Sequence, residues 1–443
     1  MSSRTSRFVA AFTFTSIAVA AAQTPAHEGA NTPIPESEPP PEERTTFAET
    51  VAPPSAAGAA ASVSFTIDAY GLLISASSWL LGNSSNNPDV PQWAVAGDDA
   101  FYFTARQSRF GVRASWNEPP GDLGVENVFG VVEADFYGAF LGQDSYTFPL
   151  PRLRLATATV EWDAVRLSFG QDWSVLAPLN PVTAFHTGVP GFTTSGNLWA
   201  RLPQLRVDGA IRMGSYHLIW VAALVANSQT DAIPRDETTI TSVRIPQGGE
   251  LSLAPAGEAR LAIATKMFGK PFELGVSGHI GNRKIPFTGG EESLRNGAIA
   301  VDLTLPLPAR FKLKGEAFWG KGLDAFFGGI NQGIVHTTDA AGDITSIGGS
   351  IETVGAWGQA SWAALDILTF YGGGGFDDPD NEDLLDEPAP TNRTLNVAGY
   401  GEISFELARG IALWFEYDYM RTTYEAAPSV TTHVVSLTGA LTF

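Results

Sequence analysis

From residue 62 to its end the chain repeats one pattern: short segments of alternating apolar and polar residues, separated by stretches rich in Gly, Asn, Asp and Pro. Sixteen such segments can be read, at about 62–74, 99–115, 125–136, 152–162, 163–171, 204–212, 214–226, 257–268, 270–282, 296–305, 309–321, 351–361, 363–375, 394–406, 410–421 and 431–443. Successive side chains on a strand point to opposite faces, so each segment has one apolar and one polar face. In 204–212, Leu205, Val207 and Ile211 alternate with Arg206, Asp208 and Arg212. In 410–421, Ile411, Leu413, Phe415, Tyr417 and Tyr419 alternate with Trp414, Glu416 and Asp418.

The connections decide the architecture. Tight ones (after Trp162, at Met213-Gly214, at Gly269-Lys270, 306–308, at Trp362-Ala363, 407–409) alternate with long ones (75–98, 137–151, 172–203, 227–256, 283–295, 322–350, 376–393, 422–430). The connection at 116–124 belongs to the short class but exceeds its peers. An even number of antiparallel strands with turns at one rim and loops at the other is the layout of a transmembrane β-barrel. Closure is required, because an open sheet edge does not survive in hydrocarbon. A sandwich or propeller gives no reason for such alternation, and no motif recurs with the period of propeller blades. The predicted fold class is therefore all-β: a 16-stranded antiparallel transmembrane barrel over 62–443.

Composition agrees with this reading. Charged residues are 17 % against roughly 25 % in typical soluble domains, and aromatics are 11 %. No interior run reaches the ~18 apolar residues of a spanning helix. A net charge of −20 argues against a nucleic-acid partner. The absence of cysteine excludes a disulfide framework and thiolate metal sites. At the N-terminus, Arg4 and Arg7, an apolar run over 8–20 and Ala20-Ala21-Ala22 read as a cleaved signal peptide (1–22). The Pro- and Ala-rich segment 23–61 reads as an extended periplasmic linker without heptads. The chain closes on Phe443 after Val435, Leu437, Gly439 and Leu441 on one strand face, a pattern that resembles the C-terminal assembly signal of bacterial outer-membrane proteins.

Thr104-Ala105-Arg106-Gln107-Ser108-Arg109-Phe110-Gly111-Val112-Arg113 resembles an early strand motif of the DcaP-like porins of Gram-negative outer membranes. Glu133-Ala134-Asp135-Phe136-Tyr137-Gly138 is similar to the acidic–aromatic segment that follows it in that family. Leu153-Arg154-Leu155 and Phe169-Gly170-Gln171-Asp172-Trp173-Ser174 are similar to its next two elements. The resemblance covers about 99–180 and implies a trimer of sixteen-stranded barrels passing small anions, notably dicarboxylates. The linker departs from it, since family members can carry an N-terminal coiled coil.

If Phe110 and Val112 face lipid, Arg109 and Arg113 face the lumen, and the same rule turns Arg152, Arg154, Arg166, Arg206 and Arg212 inward. Such a ladder favours anions where screening is poor, and each guanidinium can grip a carboxylate with two hydrogen bonds. The alternative is that these arginines pair with Glu133, Asp135, Glu161 and Asp208 to brace the wall. Arg106 falls on the opposite face, which leaves a bulge, a rim position or a subunit interface open. The third long connection, 172–203, has few charges and is expected to fold inward as a constriction. Asp172, His186 and Arg201 are its titratable groups, and Trp173 and Phe185 are among its packing residues. The acidic stretch 377–387 reads as a solvated loop, with Ca²⁺ or lipopolysaccharide bridging as the sharper alternative.

Catalysis finds little support: no H-E-x-x-H, G-x-S-x-G or phosphate-binding loop occurs, although Ser277 and His279 share a strand face. The run 372–375 of glycines reads as a bend or thin wall. The expectation is a non-enzymatic outer-membrane porin, without cofactor or metal, for passive diffusion of small, preferably anionic solutes. Lipid, lipopolysaccharide, the outer-membrane assembly machinery and two further copies of the chain are the expected partners. A nonspecific porin and a plugged structural or adhesive barrel are the alternatives.

Overall fold

The computed structural model describes residues 45–48, 65–116, 124–138, 149–227, 248–339, 344–384 and 391–443. The expected signal peptide and most of the expected linker lie outside these residues, as does most of 116–124. Sixteen antiparallel strands form one sheet. They are β1 (Phe65–Leu81), β2 (Ala100–Thr104 and Arg109–Trp116), β3 (Asn127–Gly138), β4 (Leu150–Glu161), β5 (Val165–Trp173), β6 (Arg201–Met213), β7 (Tyr216–Val225) and β8 (Ala256–Met267). Then follow β9 (Lys270–Phe287), β10 (Gly290–Pro306), β11 (Phe311–Lys321), β12 (Glu352–Leu365), β13 (Leu368–Pro379), β14 (Arg393–Ala408), β15 (Ile411–Tyr424) and β16 (Val430–Thr442). Each pairs with its chain neighbour, and β16 pairs with β1 from Leu72↔Thr442 to Leu81↔His433. The sheet closes on itself. Within the expected linker, Thr45–Ala48 pairs antiparallel with β1 beside Thr66–Ala69.

The outward positions carry exposed apolar side chains at every second residue: Phe101 and Phe103, Leu274, Val276 and Ile280, Leu413, Phe415 and Tyr417. So large an apolar surface on a closed barrel is the lipid face of a membrane protein. Phe311, Trp362 and Phe370 stack near the turn rim, with centroids 5.3 and 5.7 Å apart, as aromatics do at a membrane interface. At the seam, the backbones of Gly71 and Phe443 exchange hydrogen bonds of 2.9 and 3.1 Å. The Phe443 ring lies where a side chain at residue 71 would stand, since a Cβ there would meet its Cζ at 2.6 Å.

Two expectations about loops need correction. The connection expected at 283–295 is the two-residue turn Thr288-Gly289, with Gly289 at φ 101. The strand alternation simply continues: Arg283 and Ile285 point inward and are buried, and Ile285 packs on Ile334 and Ile344. Those two belong to a small hairpin, Ile334–Thr338 with Ile344–Ser350, within the sixth loop (322–351). The acidic stretch, in turn, does not begin in solvent. Asp377 and Asp378 belong to β13, and Asp377 is buried, accepting bonds from Thr353 Oγ1 (2.6 Å) and the Ile330 N–H (3.2 Å). Residues 385–390 of that stretch lie outside the described residues.

The core lies inside the barrel. Val175, Leu176 and Leu198 from the third loop (174–200) pack with Leu323 and Phe326 from the sixth, against Val221, Ala223, Ala300 and Phe318 of the wall. The first loop (82–99) also turns inward, its Val90 clustering with Val189 and Trp199.

Candidate functional site

The third loop is the centre of the site, and its route follows from where its backbone N–H groups find acceptors. A chain segment packed against the inner wall of a barrel must satisfy its buried amides on that wall. Val175 donates to Glu258 Oε2 on β8 at 2.7 Å, and Ala177 to Ser277 Oγ on β9 at 3.1 Å. Leu179 donates to Glu316 Oε1 on β11 at 2.7 Å, and Val182 to Gln359 Oε1 on β12 at 3.1 Å. Ala184 donates to Glu402 Oε2 on β14 at 2.9 Å, while the Thr183 hydroxyl donates to Glu416 Oε2 on β15 at 2.6 Å. Phe185 then packs on Ala76, Leu80 and Val434 inside the seam. The loop thus passes round the inner wall and arrives at β2.

There the expected motif residues meet it. Gln107 Oε1 accepts the N–H groups of Thr187 (2.9 Å) and Gly188 (2.7 Å), and its Nε2 donates to the Phe185 carbonyl (2.8 Å). The carbonyls of the same short stretch face arginines: Arg152 donates to Gly188 O at 2.6 Å, Arg154 to Thr187 O at 3.4 Å and Arg201 to Gly188 O at 3.5 Å. Beyond it, Gly196 (φ +103) lies flat on the wall, where a Cβ would meet Ala356 O at 2.1 Å. Gly373 and Gly375 are the receiving surface, next to the Phe192 ring and Ser195. The glycine run is therefore a close-approach site for the loop.

Asp172 and Trp173 belong to β5, and Arg201 to β6, so the loop is shorter at both ends than the sequence suggested. Asp172 accepts the Trp173 N–H at 2.8 Å. The Arg201 guanidinium lies over the rings of Trp173 and Trp199, at 4.6 and 5.1 Å. The His186 imidazole is buried, which pushes its pKa down to about 4 against the pull of Asp89.

The arginine ladder divides into two levels. Beside the loop, Arg152 pairs with Asp135 (2.6 Å), and buried Arg154 pairs with both Glu133 (2.6 Å) and Asp135 (2.9 Å). Arg109 and Arg201 stand in the same electrostatic field but make no ion pair among the described residues. Nearer the turn rim, Arg166 and Arg206 share Asp208, each at 2.9 Å, and Glu161 lies 3.9 Å from Arg166. Arg113 covers the Phe129 ring at 3.9 Å, and Arg212 is exposed at the turn end of β6. Six residues separate Arg212 from Arg206, roughly 20 Å of strand, so it is not beside the loop.

Two of the basic residues sit at bulges. In β2 the four residues 105–108 face only three of β1, between Ala76↔Thr104 and Leu72↔Arg109. One extra residue flips the alternation, so Phe101 and Phe103 face out before it and Phe110 and Val112 after it. Arg106 lies in this bulge and is buried, gripping Asp89 of the first loop with two bonds of 2.5 Å under the Tyr137 ring. In β4 the register with β3 skips Arg154, between Glu133↔Leu155 and Ala134↔Leu153. The bulge lets Arg152 and Arg154 face inward while Thr159, of opposite parity, meets the inward Ser168 hydroxyl at 3.0 Å.

Sequence reasoning missed the acidic far wall as the loop's seat. Its signal was present: Glu258, Glu316, Glu402 and Glu416 all occupy polar-face positions of alternating strands. Ser277 and His279 are likewise engaged with the loop and its anchors. Ser277 accepts the Ala177 N–H, and His279 Nδ1 lies 3.1 Å from Glu258.

No family model matches the chain, and no curated protein matches it in sequence. Solved structures do match in shape. The outer-membrane channel DcaP of Acinetobacter baumannii superposes with a TM-score of 0.65 at 18 % identity, over 86 % of this chain and 97 % of that one. An anion-selective porin from Comamonas acidovorans gives 0.51 at 13 % identity, over 86 % and 100 %. Salmonella typhi OmpF gives 0.52 at 12 %, over 85 % and 98 %. At these identities the likeness speaks to fold alone: the chain has the porin fold of a closed sixteen-stranded β-barrel, and its apolar outer belt is that of a membrane-spanning one.

Proposed function

We propose that the chain is an outer-membrane porin through which small solutes diffuse passively, with a preference for anions of the dicarboxylate type. One observation carries the preference. The third loop spends its N–H donors on carboxylates of the far wall, whereas on the near wall Arg109 and Arg201 have no carboxylate partner among the described residues. Although the whole chain is acidic, the level beside the loop holds four guanidinium groups (Arg109, Arg152, Arg154, Arg201) against three carboxylates (Glu133, Asp135, Asp172). Guanidinium pairs suit a solute with two carboxylates, each of which can accept parallel hydrogen bonds.

Reversal potentials in planar bilayers under a salt gradient test this reading. Anion preference is expected, and Arg109→Gln with Arg201→Gln should lower the anion-to-cation permeability ratio at unchanged barrel stability. Cation preference in the parent protein would instead make it a nonspecific porin governed by its acidic loops. A plugged barrel is the second reading, favoured by the apolar cluster that the third and sixth loops build inside the lumen; absence of any conductance would select it.

The exposed apolar residues beside the seam, Trp79, Phe101 and Phe103, suit contact with lipid or with further copies in a homotrimer. Cross-linking in detergent checks the number of chains. Phe443, with its ring on Gly71 and its backbone closing the seam, is the proposed handle for the assembly machinery.

A further inference from the structure

Beneath the third loop, on β14 and β15, lies a second group of polar side chains, separate from the arginines. Glu402 on β14 and Glu416 on β15 face each other directly across the strand pair, and Asp418 follows on the same inner face. Like charges directly opposed in a sheet are destabilising unless something neutralises them. No lysine or arginine among the described residues pairs with any of the three. Glu402 and Glu416 are 2 % and 1 % exposed, yet Glu402 Oε1, Glu416 Oε1 and Asp418 Oδ2 have no hydrogen-bond partner. Buried oxygens of this kind demand a cation, a metal ion or protons of their own.

The loop supplies the fourth member. His186 Nε2 points into the group, 4.0 Å from Glu416 Oε1 and 3.8 Å from Asp418 Oδ1, and the three ligand atoms lie within 4.8 Å of one another. Drawing each in by roughly half an ångström would bring all three to the ~2.0–2.2 Å of zinc–nitrogen and zinc–oxygen bonds. The groups border a cavity of about 20 Å³, together with Thr183, Ser195 and Tyr400, which is room for one small ion or water. Glu416 is already oriented, because its other oxygen accepts the Thr183 hydroxyl at 2.6 Å.

We propose that His186, Glu416 and Asp418 form a site for a divalent transition-metal ion of the zinc class, which fastens the third loop to the barrel wall. The mixed donor set carries the choice of ion. Calcium and magnesium take oxygen ligands, whereas an imidazole beside carboxylates suits zinc and its neighbours. Such an ion balances the charges of its two carboxylate ligands and joins loop to wall by bonds stronger than the amide contacts on either side of it. The site is independent of which solute passes, and of whether any does.

The test uses the full chain in detergent, stripped with a chelator and titrated with Zn²⁺ alone against a chromophoric competitor. One saturable ion per chain is expected, with a raised unfolding temperature and no displacement by excess Mg²⁺. His186→Asn and Asp418→Asn should each weaken binding by at least the ~10–100-fold that loss of even an outer-shell partner costs. His433→Asn is the control, since that ring sits on the outer face between Tyr417 and Tyr419 and should leave binding unchanged. His186 lies in a loop, so its variant keeps the barrel, which heat-modifiable mobility on gels verifies. Zinc binding that survives the His186→Asn/Asp418→Asn double variant would overturn the site. So would an absence of saturable binding with infrared bands of protonated carboxyls, the signature of a cluster held by protons alone.

Discussion

The two sides of the lumen neutralise their carboxylates in different ways. On β3 to β6, Glu133, Asp135 and Asp208 are met by arginine side chains from the next strands. On β8 to β15, Arg260 likewise pairs with Glu273 and Asp302, but Glu258, Glu316, Glu402 and Glu416 are met by the backbone amides and a hydroxyl of the third loop. An arginine pair is local and leaves the wall complete without the loop. An amide contact makes loop and wall depend on each other, because amides left without carboxylates would be buried and unpaired. Amides are present whatever the side chains, so the loop can be apolar and carry few charges while still being held along its length. The acidic wall holds the loop along most of its length, and the basic wall meets it only at its Phe185–Gly188 stretch.

The largest expected effect breaks the basic side. Arg154→Ala removes what is, among the described residues, the only ion-pair partner of buried Glu133 and one of two partners of Asp135. Losing one member of a buried pair costs about 3–5 kcal/mol, so the unfolding midpoint in urea should fall accordingly. The double variant Arg154→Met/Glu133→Leu should recover most of it, since apolar replacement of a whole buried pair is often neutral. A double variant as unstable as the single one would mean that Glu133 was not the source of the cost.

Breaking the acidic side should release the loop before it disturbs the barrel. Glu258→Ala leaves the Val175 N–H and the Ser174 hydroxyl without their acceptor, a loss of about 1–3 kcal/mol for each buried donor. The barrel strands do not depend on that contact, so the loop should detach first. Limited proteolysis within 174–200 reads this directly: cleavage is expected in Glu258→Ala and not in Arg154→Ala under folding conditions. Equal resistance in both would remove the distinction between the two walls.

Much of this was legible in the sequence. Alternation gave sixteen strands, the inward side of Arg206 and Asp208, and the inward turn of the third loop. For Arg106 it left a bulge, a rim position and an interface open, and the structure places it in the bulge at 105–108; the parity shift at Arg154 went unannounced, because no pattern of apolar residues marks an insertion of one. It also failed at Ile285, where a strand continues beyond the rim because the sixth loop offers it an apolar partner. Strand length there is set by a loop distant in the chain. The acidic wall was visible as polar-face residues, but a carboxylate that will accept an amide looks in sequence like one that will face water.

A smaller effect sharpens the division between the two levels of arginine. Arg166 and Arg206 share Asp208, so removing either leaves the carboxylate with one partner. Arg206→Gln should therefore cost only about 1 kcal/mol, the scale of a single partly exposed pair. Stability curves of the two single variants and the double variant check it: the double should lose more than the sum, because only then is buried Asp208 left alone.

The smallest expected effect belongs to Arg212, and it is the most informative about selectivity. It lies on the inner face but is exposed at the turn end, roughly 20 Å of strand from Arg206. At physiological salt the screening length is about 8 Å, so its charge hardly reaches an ion beside the third loop. Arg212→Gln should leave stability within about 0.5 kcal/mol of the parent, as surface changes do. Its reversal potential should match the parent's, in contrast to the Arg109→Gln/Arg201→Gln variant. A shift comparable to that variant's would mean that the basic stripe acts through its summed field along the whole wall. The level beside the loop would then have no privileged role, and covering the acidic wall would matter for structure alone.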